Sequence, residues 1–111
     1  MDILFYGEKE KQFYFLPYAQ SKNLDCKCNS IVTFNIDTAA AEIIAESPDE
    51  LIIDADCIVD DGACASKIAD IKDAIGCRVI IIAPGYDMRS MLLKKFIVAG
   101  IKDFITAEGS E

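Results

Sequence analysis

Three acidic side chains lie at the ends of predicted strands, where together they could bind a cation. Glu8 follows the apolar run of residues 3–7, and Asp54 and Asp56 end the run of residues 51–56. Parallel sheets bind ligands at the carboxyl ends of their strands, so we expect the three side chains to converge. Carboxylates at one crevice repel unless protons or a divalent cation neutralise them, and Mg²⁺ takes one or two carboxylates with carbonyls and water. Alternatively, Asp54 and Asp56 only cap the irregular segment after their strand.

Most other chemistry lacks the residues that it requires. The chain contains no His, which is the commonest general base, so no Ser or Cys has a His to activate it. Neither G-x-x-x-x-G-K-[ST] nor G-x-G-x-x-G occurs, and the turn at residues 7–10 carries two acids that would repel a phosphate. These absences argue against nucleotide binding and nucleophilic catalysis, and we predict that the chain is not an enzyme.

The cysteines leave a second kind of site open. The chain has five, of which only Cys26 and Cys28 are close in sequence, and on a strand these two would share a face. A thiol redox or metal module using this pair is one interpretation, although zinc sites usually need wider spacing and a second pair. The other is that the thiols are small apolar side chains in a reduced core, because an odd count indicates no disulfide framework.

Size and charge limit the classes of partner. The 111 residues suit one domain over positions 1–111, and 52% of them are apolar. Eleven basic and nineteen acidic residues give a net charge of −8, which argues against nucleic acid and anionic membranes and suits a cation or a basic patch on a protein. No apolar run is long enough to cross a membrane, and the first residues lack a secretory signal. We therefore expect a cytoplasmic protein without membrane insertion.

Strand and helix patterns alternate along the chain. Continuous β-branched runs predict strands that are buried on both faces, and the run at residues 79–83 is the strongest of them. The segment at residues 10–23 is predicted as a helix that Pro17 kinks, shortens or delays, and Asp37 or Thr38 is expected to cap the next helix. Such alternation predicts a parallel sheet with helices on both faces. The predicted strands are residues 3–7, 26–33, 51–56, 79–83 and 102–106, and the predicted helices are residues 10–23, 39–46, 63–75 and 87–99.

A fifth helix is missing from this pattern, because only residues 107–111 follow the last predicted strand. Four helices would leave one sheet face partly bare near that strand. We expect the final helix to be missing or truncated, the exposed surface to meet a partner, and the chain to be the N-terminal part of a longer protein.

Two stretches resemble the receiver domains of response regulators. Residues 41–54 are similar to the second helix and third strand of that family, in which the last Asp is the phosphoacceptor, and Asp54 falls at that position. Gly62 follows it by eight positions, as is common in the family, and residues 99–105 resemble the segment before the end of the fifth strand. The resemblance implies a flavodoxin/CheY-like doubly wound α/β fold with five parallel strands in the order 2-1-3-4-5.

The chain also departs from the receiver pattern. Receivers hold Mg²⁺ with two acids after the first strand, and here Gly7 replaces the first so that only Glu8 remains. Ala83 stands where a Thr or Ser would hydrogen-bond the phosphoryl group, and Ala107 stands where a Lys would neutralise it. We therefore expect no ammonium group near Asp54. This pattern resembles the atypical pseudo-receivers at the N-terminus of MinD/ParA-like pilus-assembly ATPases of the TadZ/CpaE type.

Three hypotheses follow from the sequence and the resemblance. The first is a non-catalytic protein-interaction or dimerisation domain that localises or assembles a larger machine such as a pilus system, with a homodimer or a protein partner and an ATPase domain downstream. The second is a working receiver, with Asp54 phosphorylated while Glu8, Asp54 and Asp56 hold Mg²⁺. The third is the thiol module of Cys26 and Cys28. The apolar candidates for the interaction surface in the first hypothesis are Met88, Met91, Leu92, Phe96, Ile101 and Phe104. Most of these six are expected to pack in the core, with one or two shared with a partner.

Overall fold

A five-stranded sheet forms the centre of the molecule. The computed structural model describes residues 2–59, 63–87 and 89–106. All neighbouring strands are parallel, in the order β2-β1-β3-β4-β5, which confirms the predicted doubly wound sheet and its strand order. The strands are β1 (Asp2–Gly7), β2 (Asp25–Ser30), β3 (Glu50–Asp54), β4 (Arg78–Ile82) and β5 (Asp103–Ile105).

Helices lie on both faces of this sheet. The α-helices are α1 (Leu16–Ser21), α2 (Ile36–Glu46), α3 (Cys64–Ile75) and α4 (Met91–Val98), and 3-10 helices occupy Lys9–Tyr14 and Ala55–Cys57. Residues alternate along each strand, so Leu51, Ile53 and Ile81 pack under α2, α3 and α4, while Ile52 and Ile80 pack under α1 on the other face. No described helix is long and apolar enough to cross a membrane.

Helix ends differ from the sequence prediction where local hydrogen bonds decide them. The predicted helix at residues 10–23 is divided between the first 3-10 helix and α1, and Pro17 lies in the first turn of α1, where its missing N–H costs nothing. The expected cap at Asp37 or Thr38 was wrong. The side chain of Asn35 caps α2, and the amides of Asp37 and Thr38 donate to it at 3.0 and 3.4 Å.

The sheet face beneath β4 and β5 carries an open groove. It has a volume of about 330 Å³ and is lined by Tyr14 and Tyr18 on one side and by Ile80, Phe104 and Ile105 on the other. This is the region where the sequence predicted a partly bare face. Residues 107–111, like Gly62, lie outside the described residues.

Candidate functional site

Asp54 is the centre of the candidate site. It ends β3 at the carboxyl edge of the sheet, and its side chain is 0% exposed. The structure brings Glu8 beside it as predicted: one ligand atom each from Glu8, Asp54 and the thiol of Cys57 lie within 4.8 Å of one another. Asp56 does not belong to that group. The acidic trio is therefore divided. Glu8 lies beside Asp54 and Cys57, whereas Asp56 lies outside that group.

Both carboxylate oxygens of Asp54 already accept hydrogen bonds. Oδ1 accepts from the Nζ of Lys11 at 3.0 Å and from the backbone N–H of Asp56 at 3.0 Å. Oδ2 accepts from the backbone N–H of Glu8 at 3.1 Å and from the thiol of Cys57 at 3.5 Å. A buried carboxylate is stable only when such donors replace its lost hydration. The Asp56 contact also shows that Asp54 caps the irregular segment after its strand, as the alternative interpretation predicted.

Lys11 corrects the sequence analysis, which expected no ammonium group near Asp54. It extends from the 3-10 helix after β1, and its Nζ lies 3.0 Å from Oδ1 of Asp54 and 2.7 Å from Oδ2 of Asp56. Burial alone lowers the pKa of Lys11, but the hydrogen bonds to Asp56 and Asp54 outweigh it, so the pKa is raised overall. The ammonium therefore stays charged over the whole neutral range.

Asp56 links this ion pair to the segment before α4. The Lys11 hydrogen bond lowers the pKa of Asp56, against the opposing effect of burial. The hydroxyl of Tyr86 donates to the other oxygen of Asp56 at 3.0 Å. One carboxylate thus joins segments that follow β1, β3 and β4. Sequence reasoning missed Tyr86. The one indication in the sequence is that Tyr86 carries a hydroxyl group and lies just after the predicted fourth strand.

Cys57 behaves as a hydrogen-bond donor and not as a thiolate. Burial first, and the charge of Asp54 second, raise the pKa of its thiol to about 12. The thiol therefore remains protonated at neutral pH, with the carbonyl of Ile31 and Oδ2 of Asp54 each 3.5 Å away. Mg²⁺ takes oxygen ligands and not sulfur, so Cys57 adds nothing to a Mg²⁺ site.

The Mg²⁺ site of receivers does not fit these residues. The Lys11 ammonium lies between the two carboxylates that would have to share the ion, and each Asp54 oxygen already has two donors. A second acid after β1 is also excluded, because a Cβ at Gly7 would lie 2.3 Å from the Cβ of Asp54. Ala83 is buried and offers no hydroxyl, and Ala107 lies outside the described residues.

The proposed interaction surface is only partly at the surface. Met91 is 67% exposed, but Phe96 and Ile101 are buried in the core, so these two do not contribute to an exposed surface. Leu92 and Phe104 are half-buried, and Met88 lies outside the described residues.

Val98 was missed by the sequence analysis and is 88% exposed. It lies seven residues after Met91, hence on the same face of α4. The two flank a groove of about 480 Å³ between α3 and α4, which Ala65, Lys94 and Lys95 also line.

The cysteine pair gains no support as a thiol module. Cys26 and Cys28 lie on β2, both with free thiols. Burial is the leading cause that raises the pKa of each, which is opposite to the shift of a reactive thiol. Neither belongs to a cluster of potential metal ligands within the described ranges.

Comparisons with known proteins agree with the fold. No family profile matches the sequence, and no curated protein matches it. Among solved structures, the chain is similar to a pilus assembly-related protein of Burkholderia pseudomallei (18% identity, TM-score 0.66, covering 97% of this chain and 78% of that one). It is also similar to the BeF3-activated N-terminal receiver domain of Klebsiella pneumoniae RstA (20%, 0.61, 96% and 85%). A third is the CheY-like protein TadZ of Pseudomonas aeruginosa (16%, 0.55, 96% and 82%). The resemblance to receiver domains, including those of pilus assembly proteins, is thus confirmed at the level of the fold.

Proposed function

We propose that this chain is a non-catalytic receiver-like domain that binds a protein partner, or a second copy of itself, in the cytoplasm. In this proposal it localises or assembles a larger machine such as a pilus system, as part of a protein that also carries an ATPase domain. The likeness to pilus assembly proteins supports the choice of machine. The observation that carries the proposal is the state of Asp54, which is fully buried with both oxygens occupied.

Phosphoryl transfer to an aspartate needs an accessible carboxylate oxygen and a cation that holds the incoming group in line. Each Asp54 oxygen accepts from two donors, and a donor would have to leave before either oxygen could attack. Gly7 and Ala83 supply neither a metal ligand nor a hydroxyl. Asp54 is therefore better suited to holding the segments around it together than to accepting a phosphoryl group, which leaves surface recognition as the function.

The exposed face of α4 is the best candidate for that recognition. Met91 and Val98 are large apolar side chains on one face, and Lys94 and Lys95 lie between them. The helix carries two lysines and no acid, whereas the rest of the chain has nine basic and nineteen acidic residues. A symmetric dimer through this face would bring the lysines of two copies together. Its apolar contact would then work against like-charge repulsion, which salt screens.

Multi-angle light scattering at several salt concentrations tests this proposal. We expect a dimer whose fraction increases as salt rises from about 0.1 M to about 1 M, because the Debye length falls from about 10 Å to about 3 Å. Val98→Lys should abolish the dimer. Val32→Lys is the matched control, because Val32 is equally apolar and is also exposed, at 83%, but lies away from α4.

Three results would contradict self-association through α4. A monomer at every concentration and salt would exclude the homodimer and leave only a foreign partner for this face. A dimer that dissociates when salt is added would place α4 against an acidic surface, contrary to a symmetric contact. Equal loss of the dimer in Val98→Lys and Val32→Lys would show that added charge, and not the α4 face, decides association.

A working phosphoacceptor is the second candidate, and Lys11 is the observation that favours it. Its ammonium supplies the cation that the sequence lacked at the end of the fifth strand, and it could pair with a phosphoryl group on Asp54. Beryllofluoride with Mg²⁺ tests this by NMR. Our first proposal expects no shift at the amides of Glu8, Asp54 and Asp56, and a saturable shift there would replace it with the second candidate.

A further inference from the structure

We propose that the ammonium of Lys11 takes the place of a divalent cation in this pocket, so that the protein neutralises its own carboxylates and excludes Mg²⁺. This goes beyond the proposed function, because a receiver-like interaction domain could equally well bind Mg²⁺ as a structural ion. It concerns only the charge balance around Asp54.

Burial makes an ionised Asp54 dependent on a compensating cation. The Asp54 side chain is 0% exposed, and an ionised carboxylate without a compensating charge is very unfavourable in such a place. Among residues 2–59, 63–87 and 89–106, the only cationic group within 4.0 Å of its oxygens is the Nζ of Lys11. The Lys11 side chain is itself only 15% exposed, so solvent screens this pair far less than a surface ion pair.

The geometry of the bridge makes the two cations mutually exclusive. Nζ contacts Oδ1 of Asp54 and Oδ2 of Asp56 at once, at 3.0 and 2.7 Å. An ion shared by these two carboxylates would have to occupy the same space, and it would meet the positive charge of Lys11 within contact distance.

Lys27 provides a matched control within the same chain. It also bridges two carboxylates, with Nζ 2.9 Å from Oε2 of Glu42 and 3.3 Å from Oε2 of Glu46. Its side chain is 51% exposed, so that bridge is a surface one. Lys11→Met and Lys27→Met remove the same charge from the same kind of bridge and differ mainly in burial.

Thermal unfolding with and without MgCl₂, against KCl of equal ionic strength, tests the inference. Without Mg²⁺, we expect Lys11→Met to lower Tm by about 10 °C or more, and Lys27→Met by about 2 °C or less. Mg²⁺ should leave the Tm of the wild type and of Lys27→Met unchanged. It should restore a large part of the loss in Lys11→Met, because the two carboxylates are then free to bind it.

Three outcomes would overturn the inference: Mg²⁺ raises the Tm of the wild type, Lys11→Met is no less stable than Lys27→Met, or Mg²⁺ fails to restore Lys11→Met. If Lys11→Met does not fold, Lys11→Arg with added Mn²⁺ replaces it. The arginine keeps the positive charge, so Mn²⁺ should not bind in that variant or in the wild type. Paramagnetic broadening at the amides of Glu8 and Asp54 should therefore be absent in both proteins, and broadening in either one overturns the inference. The light-scattering test of the proposed function uses no metal and does not depend on whether the pocket binds Mg²⁺. This inference can therefore fail while the proposed function stands.

Discussion

Gly7 is the residue at which a single added methyl group tests the packing of the site. It is the last residue of β1 and is buried, and its carbonyl accepts from the N–H of Ile31 at 3.0 Å. A Cβ at this position would lie 2.3 Å from the Cβ of Asp54 and 2.7 Å from Cζ of Phe5. Carbon atoms in contact prefer about 3.5–4.0 Å, so Gly7→Ala requires β1 or the end of β3 to move.

The sign of the change in stability on Gly7→Ala distinguishes a steric clash from an effect of glycine on backbone entropy. Where an alanine fits without strain, replacing glycine stabilises a protein by about 0.4–1 kcal/mol. Gly7 is not among the residues with positive φ, so without the contact Gly7→Ala should be stabilising. Overpacking of a core costs about 1–3 kcal/mol. With an unfolding entropy of about 2.1 cal/mol/K per residue, the 111 residues give a Tm shift of about 4 °C per kcal/mol, hence a fall of about 4–12 °C.

Urea and thermal denaturation measure this change, and a double-mutant cycle locates its cause. In an Asp54→Gly background the atom 2.3 Å away is gone, so adding Gly7→Ala should cost at least about 0.5 kcal/mol less than it does in the wild type. A neutral or stabilising Gly7→Ala would refute the steric reason for glycine here. Full additivity of the two changes would show that Asp54 is not the residue it contacts.

Two further predictions concern a helix cap and a thiol. Asn35→Ala should lower the free energy of unfolding by about 0.5–2 kcal/mol, measured in urea, because the amides of Asp37 and Thr38 lose their acceptor; an unchanged midpoint would contradict the cap. The raised pKa of Cys57, about 12 against an ordinary 9.0, means that the unfolded chain releases this proton first. The contribution of this shift to the free energy of unfolding should therefore be fully present below about pH 9 and be lost toward pH 12. The free energy of unfolding should fall less steeply with pH in Cys57→Ala than in the wild type, and equal declines in the two proteins would contradict the shift.

The sheet and the place of Asp54 could be predicted because each depends on local sequence. The uncharged β-branched run at residues 79–82 of β4 is typical of a strand covered on both faces. The run that ends in Asp54 has the same character, and a residue that ends a parallel strand must lie at the carboxyl edge of the sheet. Neither conclusion needs information about distant parts of the chain.

Lys11 could not be predicted for the opposite reason. It lies in a six-residue 3-10 helix followed by the short α1, in a segment whose apolar pattern and Pro17 gave no clear period. Its contact with Asp54 joins residues 43 positions apart and depends on how the chain turns after Gly7. A lysine side chain is long and flexible, so the sequence shows that it could reach many carboxylates without showing which.

Exposure along α4 depends on which of its residues face the sheet. The sequence predicted a helix over residues 87–99, whereas α4 is Met91–Val98. Within these bounds, Leu93 and Phe96 are three residues apart and face the core, which leaves Met91 and Val98 on the outer face. Ile101 is buried because the chain turns back toward the sheet at Gly100, whose φ is 98°.

A resemblance to a phosphoacceptor does not by itself make a buried aspartate a phosphorylation switch. Here the carboxylate of Asp54 holds the backbone just after β1, the lysine of the following 3-10 helix and the segment after β3. Each of these donors would be left unsatisfied if an apolar residue replaced it, which is costly in a buried place. The aspartate therefore has a structural reason to be present whether or not any phosphoryl group reaches it. What separates the two roles is the identity of its partners, and in this chain those partners are an internal ammonium, two amides and a protonated thiol.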